Sequence, residues 1–431
     1  MKPEKIYIET YGCQMNKLDS EYVNAILTED GFTVVTDPDD ADVILLNTCG
    51  VRDNAEQRIH GRVGELSSLR RFKPDLIFGI IGCMAQRLGN NLISDVVSIV
   101  AGPDTYRLLP SMIEKALYEK TSFTDLHRDE TYSGIEPVRV CSHSAWVAVM
   151  RGCNNYCSYC IVPYTRGSER SIPCDDILAE IENLKQNGYR EVTLLGQNVN
   201  SYNDGEINFT RLLERIAQTG IEWIRFLTSH PKDLSVDILD VMSKNDNICN
   251  HLHLPLQSGS DRILKAMNRK YTISRYLSLI ESARKFIPGI NISTDIIFGF
   301  PDETEEDYRN TLSVMQSVRF DFAFLYRYSE REGTKAALFP NKVPEQVRLD
   351  RLREAIELQN SIIRQKNRER IGATYVVLIK GLSKDKQGWY GFTETNIPVV
   401  VKSKDGASRI GSFVNVHIED STGGSLVGTA I

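Results

Sequence analysis

The sequence predicts an α/β protein with a Rossmann-like N-terminal domain, a partial (β/α)6 barrel and a small C-terminal all-β barrel. Strand and helix patterns alternate over residues 4 to 115, and six further strand–helix units follow residue 142. Short strands separated by Gly, Lys and Asp fill the last 60 residues. We expect domains at 1–120, 141–370 and 371–431, with a linker at 121–140.

Composition excludes several classes of protein. With 41% hydrophobic and 25% charged residues, the chain has the composition of a globular protein. The longest apolar run, LIFGIIGCMA, is far shorter than the ~20 residues that span a bilayer. The N-terminus also lacks the apolar stretch of a secretory signal. A net charge of −6 argues against a surface coated with charge for nucleic acid, so any RNA contact must be local. We expect a cytoplasmic protein without a membrane segment.

Three predicted strands of the first domain each end in a cysteine. KIYIE precedes Cys13, and ADVILLNTC and DLIFGIIGC end at Cys49 and Cys83. The separations of 36 and 34 residues match one βαβ unit each. One such cysteine alone would be read as a small buried residue. Because parallel strands end at the same edge of a sheet, the repetition predicts that the three thiols converge.

A second set of three cysteines lies in RGCNNYCSYCIVPYTRG, where Cys153, Cys157 and Cys160 have the spacing CxxxCxxC. A structural zinc site needs four ligands, and no fourth Cys or His follows at finger spacing. A four-iron cluster on three thiolates instead leaves one iron open to a ligand. The pattern favours an iron–sulfur cluster over zinc. It also favours a cluster over a thiol oxidoreductase, which Cys157 and Cys160 alone would suit.

This motif, with Tyr159 before its third cysteine, resembles that of the radical S-adenosylmethionine (SAM) superfamily. The resemblance implies a 4Fe-4S cluster whose open iron binds SAM, and cleavage of SAM to a 5′-deoxyadenosyl radical that abstracts a hydrogen. It also implies SAM contacts at the strand ends of the barrel. The candidates are Tyr159, Gly196, Gln197, Asn198, Ser258 and Gly299. For the Gly and Ser positions, an ordinary turn role is the alternative.

The three-part chain is similar to the methylthiotransferase family over nearly its whole length. This resemblance implies that Cys13, Cys49 and Cys83 bind an auxiliary 4Fe-4S cluster, and that the last domain is an RNA-associated TRAM module. It implies a transferase that replaces a C–H hydrogen by a methylthio group and consumes two SAM per product. No catalytic side chain beyond the clusters is expected.

Within the family, YGCQMNKLDSE and NTCGVRDNAEQR are most similar to members that modify carbon 2 of N(6)-dimethylallyladenosine beside the tRNA anticodon. Gln14 and Met15 separate them from the paralogue acting on threonylcarbamoyladenosine. Gly50 departs from the expected Ser, and we expect it to touch no ligand. The implied partners are a tRNA anticodon stem-loop, an electron donor of flavodoxin or ferredoxin type and a sulfur donor. We expect a monomer that binds no membrane.

RNA contact has its own candidates in the terminal barrel. The segment GWYGF carries Trp389, Tyr390 and Phe392, with Lys380 nearby. Aromatic rings beside cations suit single-stranded bases, although ordinary core packing accounts for the same residues. A non-catalytic iron–sulfur electron carrier that docks on RNA is the alternative function. The motifs GQN and GFPDET at barrel strand ends favour the enzyme.

Overall fold

The computed structural model describes residues 3–50, 53–384, 386–402 and 409–431. It has the three parts that the sequence predicts, in the same order along the chain. Val51 and Arg52 of the NTCGVRDNAEQR segment lie outside the described residues.

The first domain is a six-stranded parallel sheet with the order β2-β1-β3-β4-β5-β6. Its strands are β1 (Lys5–Thr10), β2 (Thr33–Val35), β3 (Val43–Thr48), β4 (Ile77–Gly82), β5 (Ile99–Ala101) and β6 (Thr121–Phe123). Its helices are α1 (Gln14–Glu29), α2 (Asp53–Ser67), α3 (Cys83–Leu88) and α4 (Leu109–Lys115). The central strands are continuous apolar runs because both faces of the sheet are covered. Leu45 packs in the core on one side, and Ile44 packs in the core on the other.

The first sheet extends three residues into the predicted linker. Residues 121–123 belong to the first domain as β6, which pairs with β5 in the register Ile99↔Thr121. The strands β2, β5 and β6 have three residues each, which is too short to produce a recognisable alternation of apolar and polar residues. The sequence therefore revealed only the three long strands of this sheet.

The second domain is a partial (β/α)6 barrel, as predicted. Its six strands are β7 (Ser144–Ala148), β10 (Glu191–Leu195), β11 (Trp223–Phe226), β12 (His251–His253), β13 (Asn291–Phe298) and β14 (Phe322–Arg327). They form two parallel three-stranded sheets joined by the bridge Ile224↔Ile248. The helices are α5 (Val162–Arg166), α6 (Cys174–Gln186), α7 (Phe209–Gln218), α8 (Val236–Lys244), α9 (Asp261–Ala266), α10 (Ile273–Phe286) and α11 (Glu305–Val318).

A short antiparallel pair closes the base of the CxxxCxxC loop. The strands β8 (Met150–Arg151) and β9 (Arg170–Ser171) pair in the register Arg151↔Arg170. The backbone N–H of Cys153 donates to the carbonyl of Gly167 inside this pair, at 3.1 Å. The loop with the three cysteines therefore begins and ends at the paired strands β8 and β9.

The chain then continues through a long helix, α12 (Glu345–Glu369), which begins directly after Pro344. The last domain is a closed five-stranded barrel with the order β15-β16-β17-β19-β18. Its strands are β15 (Thr374–Leu382), β16 (Gly388–Thr393), β17 (Pro398–Lys402), β18 (Phe413–Thr422) and β19 (Ser425–Ala430). Among the described residues, no helix has both the length and the apolar character of a membrane span.

The terminal barrel is attached to the second domain through a buried arginine. Arg225 donates to the carbonyls of Glu394 and Thr393, at 2.7 and 2.8 Å, and to the carboxylate of Glu191 at 2.8 Å. The ammonium of Lys380 lies 2.6 Å from the other oxygen of Glu191. One carboxylate therefore balances two cations, one of them from each domain.

We expect Glu191→Gln to loosen this attachment. Glu191 is buried, and neutralising it removes the carboxylate shared by the buried Arg225 and the partly buried Lys380, which costs about 3–5 kcal/mol. The thermal unfolding midpoint, followed by circular dichroism, should fall. Glu419→Gln is the matched control, because Glu419 pairs with Lys402 at the surface. Equal midpoints for the two variants would contradict this role of Glu191.

Ion pairs also join the first two domains. Arg170 forms a two-pronged contact with Asp104, at 2.9 and 3.0 Å. Arg139, near the end of the linker, contacts Glu21 of α1 at 3.0 Å and also Glu180 of α6. The linker is therefore held against both domains.

Candidate metal centres and the cavity between them

The three cysteines of the first domain lie at one edge of its sheet. Cys13 caps the N-terminus of α1, Cys49 follows β3 directly and Cys83 is the first residue of α3. A hydrogen bond with the Cys49 side chain, above all, lowers the pKa of Cys13 to about 6. Burial raises the pKa of Cys83. The predicted convergence of these thiols is present in the structure.

Two glycines make room for these thiols. Gly12 has φ +126°, and a Cβ there would lie 2.6 Å from the Cβ of Cys49. At Gly50 a Cβ would lie 3.2 Å from the carbonyl oxygen of Cys83 and 3.5 Å from its Cβ. The expectation that Gly50 touches no ligand stays a prediction, but a side chain at this position would crowd Cys83. A larger residue at this position must displace the start of α3.

We expect Gly12→Ala to cost the chain its auxiliary cluster while the barrel cluster remains. The added methyl group would displace Cys49, so about four of eight irons should be lost after anaerobic reconstitution. Gly31→Ala is the matched control, because Gly31 also has positive φ but no atom within 4 Å of the added Cβ. Full iron content in Gly12→Ala would show that the site tolerates this shift.

The second set of thiols lies on the loop between β8 and β9. Cys153 and Cys157 are buried, and the N–H of Cys160 donates to the carbonyl of Cys157 at 2.9 Å. Burial is the main reason why the pKa of Cys153 rises to about 11 and that of Cys160 to about 12. Protonated thiols need a strong Lewis acid to become thiolates at neutral pH, and iron can serve as that acid.

Each set of thiols has a buried guanidinium beside it. Arg166 Nε lies 3.2 Å from Cys83 Sγ, and Arg269 Nη1 lies 3.4 Å from Cys157 Sγ. A cationic N–H donor is best matched by an anionic sulfur, so both sites suit metal-bound thiolates. In 3–50, 53–384, 386–402 and 409–431, no three His, Cys, Asp or Glu side chains lie close enough to hold a single metal ion. A four-iron cluster spans a larger volume than one ion.

One cavity connects the two sets of thiols. It has a volume of about 490 Å³, and its walls include Cys13 and Cys49 of the first domain. Tyr159 and Cys160 of the barrel line it as well, together with Asp295. The volume lies in the range of about 300–1,000 Å³ that is usual for ligand pockets. A ligand in this cavity can contact both domains at once.

The GQN segment lies beside the cysteine loop rather than in this cavity wall. Gln197 Oε1 accepts from the N–H of Gly152 at 2.5 Å, and the side-chain amide of Asn198 donates to Asp233 at 2.8 Å. A Cβ at Gly196 would lie 2.5 Å from Met150 Cγ. The contact of Gln197 with Gly152 supports the cysteine loop. SAM binding by Gly196, Gln197 and Asn198 stays a prediction.

The remaining SAM candidates differ in placement. Tyr159 lines the cavity, as its predicted role requires. Ser258 is fully buried and accepts a hydrogen bond from the N–H of Ser260, whereas its neighbour Gln257 lines the cavity. Gly299 has φ +73°, and a Cβ there would lie 2.1 Å from Arg348 Cγ of α12. Packing against α12 thus explains the absence of a side chain at Gly299, and SAM binding there stays a prediction.

Two of the four RNA candidates are engaged inside the protein. Lys380 is paired with Glu191 and Ser144 of the barrel, and Trp389 belongs to the core of the terminal domain. RNA contact by these two residues stays a prediction that their placement does not support. Tyr390 is 41% exposed and packs edge-on against the half-buried Phe392. This pair remains the candidate for base stacking.

Sequence reasoning missed the polar residues that surround the cysteines. Arg269 and Asp295 contact the site but lie more than 100 residues from the CxxxCxxC motif, so the sequence gives no signal for them. Arg166 lies six residues after Cys160, and this short spacing was the available signal. Met15, expected to mark the substrate, is buried in the core, while Gln14 is exposed next to Cys13.

Comparison with known families agrees with this architecture. Residues 147–315 match the radical SAM superfamily, residues 5–102 match an uncharacterised protein family, UPF0004, and residues 368–431 match the TRAM domain. Among solved structures, the radical SAM methyltransferase TsrM from Kitasatospora setae, with cobalamin and a [4Fe-4S] cluster bound, superposes with a TM-score of 0.57 at 13% identity. That match covers 78% of this chain and 77% of TsrM, and it supports the fold alone.

Several proteins are similar in sequence to nearly the whole of this chain. The tRNA-2-methylthio-N(6)-dimethylallyladenosine synthase of Parabacteroides distasonis is 47% identical, over 99% of this chain and 95% of its own. The enzymes of the same name from Chloroherpeton thalassium and Azobacteroides pseudotrichonymphae are 47% and 48% identical. These matches cover 99% and 98% of this chain and 96% of each relative.

Proposed function

The chain belongs to the tRNA-2-methylthio-N(6)-dimethylallyladenosine synthase family, and we propose that it attaches a methylthio group to carbon 2 of N(6)-dimethylallyladenosine beside the tRNA anticodon. It is a radical SAM methylthiotransferase with two 4Fe-4S clusters and SAM as cofactors. The observation that carries the proposal is the single cavity lined by thiols of both domains. Attachment of sulfur to an unactivated carbon needs a sulfur carrier and a hydrogen-abstracting group at the same substrate atom.

The residues of the chain divide this work between two domains. Cys153, Cys157 and Cys160 would hold the barrel cluster, and Cys13, Cys49 and Cys83 would hold the auxiliary one. When bound, the clusters supply SAM cleavage at the first site and sulfur binding at the second. Tyr159 lies in the cavity wall beside Cys160, where its ring can cover the adenine of SAM. Asp295 is the one carboxylate among the described lining residues of the cavity, and it is held by His253 at 3.3 Å.

Other parts of the chain orient the RNA. The exposed Tyr390, packed against Phe392, offers a surface for a base of the anticodon stem-loop. The enzyme works in the cytoplasm, where its tRNA substrate is found, as a monomer. It takes electrons from a flavodoxin- or ferredoxin-type donor and sulfur from a separate donor.

Mass spectrometry of tRNA nucleosides from a strain lacking this gene tests the substrate. We expect the methylthio group on dimethylallyladenosine to disappear and to return when the intact chain is supplied. A complementing chain with Cys13, Cys49 and Cys83 replaced by Ala is the control. If the methylthio group were lost only from threonylcarbamoyladenosine, the proposed substrate would be wrong and the chain would have the activity of the paralogue.

A further inference from the structure

A buried arginine of the barrel reaches into the thiol site of the other domain. Arg166 is the last residue of α5, six positions after Cys160, and only 3% of its surface is exposed. Its Nε contacts Cys83 Sγ at 3.2 Å, and its Nη2 contacts Asn16 Oδ1 at 2.9 Å. Asn16 Oδ1 in turn accepts from Cys13 Sγ at 3.6 Å. The guanidinium therefore lies between two of the three thiols.

The charges around Arg166 do not balance within the protein. Asp19 pairs with Arg166 at 2.7 Å and with Arg151 at 2.8 Å, and all three side chains are buried. One carboxylate thus faces two guanidiniums. Within the described part of the chain, Arg166 Nη1 has no hydrogen-bond partner. A buried excess of positive charge is costly unless an anion lies beside it.

We propose that Arg166 completes the auxiliary cluster site from the neighbouring domain and raises the reduction potential of that cluster. Three thiolates and their cluster supply the anion that the guanidinium lacks. A cationic N–H donor to a ligating sulfur stabilises the more negative, reduced form. Arg166 is a positioning residue here, since it acts through Cys83. The inference rests on the auxiliary cluster of the proposed function.

Arg170 provides the comparison. It lies four residues after Arg166, is buried and also pairs with a carboxylate of the first domain, Asp104. The described contacts of its guanidinium are Asp104 and the carbonyls of His127 and Arg166, with no cysteine sulfur among them. Removing either arginine therefore disturbs the same domain interface, but only Arg166 should change the cluster.

The test is a redox titration by electron paramagnetic resonance. The background chain carries Cys153→Ala, Cys157→Ala and Cys160→Ala, so only the auxiliary cluster is titrated. We expect R166Q and R166K to shift the midpoint to more negative potential and R170Q to leave it unchanged. D19N should shift it to more positive potential, because Arg166 then loses its balancing carboxylate. Opposite shifts from Arg166 and Asp19 cannot arise from general loosening of the fold.

The outcomes separate this inference from the proposed function. If the background chain binds no iron at all, the auxiliary cluster itself is wrong. If R166K and R166Q hold four irons at the unaltered midpoint, Arg166 has no influence on the cluster and the inference fails. Loss of iron from a folded R166K chain supports completion of the site by Arg166. If both Arg166 variants unfold, the midpoint of D19N decides: a positive shift supports the inference and an unchanged midpoint overturns it.

Discussion

Replacing Cys153, Cys157 and Cys160 together by Ala should abolish formation of 5′-deoxyadenosine and of methylthiolated tRNA. These residues are the thiol donors on the loop between β8 and β9, and without them the barrel has no site for the iron that binds SAM. About four of eight irons should remain on the first domain. Chromatography of the nucleosides and an iron assay measure both effects.

The control for this triple variant is Cys174→Ala. Cys174 is a buried cysteine as well. It begins α6, and its thiol contacts Arg215 instead of a second thiol. This variant should keep all its irons and its activity. If SAM cleavage survived the triple replacement at the wild-type rate, the barrel could not be the site of that reaction.

Replacing Cys13, Cys49 and Cys83 together by Ala should separate the two halves of the reaction. The barrel thiols and Tyr159 are untouched, so SAM cleavage should continue. The methylthio product should fall below detection, because no thiols remain to hold the sulfur-binding cluster at the cavity wall. The ratio of 5′-deoxyadenosine to methylthiolated nucleoside measures this uncoupling. If this variant made methylthiolated tRNA at the wild-type level, the cysteines of the first domain would have no role in the reaction.

The sequence predicted those features of the site that repeat at fixed spacing. Cys13, Cys49 and Cys83 could be grouped because each follows a strand of a parallel sheet, and CxxxCxxC identified the second set by itself. The six barrel strands were also recognisable, because each alternates with a helical pattern along the chain. The cysteine spacing and the strand patterns can each be recognised within a short segment, without knowledge of how the domains pack together.

The partners of the cysteines could not be predicted in this way. Arg166 and its carboxylate Asp19 are 147 positions apart, and Arg269 and Cys157 are 112 positions apart. For Lys380, predicted to contact RNA, the sequence does not reveal Glu191, 189 positions away, as its partner. A charged side chain in a sequence does not reveal whether it faces water or a buried partner, since this depends on how the domains dock.

The buried ion pairs between the first two domains bear on how the enzyme turns over. Three groups of ion pairs lie along one interface: Asp19 with Arg151 and Arg166, Asp104 with Arg170, and Glu21 with Arg139. Swinging the domains apart would break all of these contacts in every cycle. Because breaking buried ion pairs is costly, we expect this interface to stay closed, so that ligands reach the cavity through its opening.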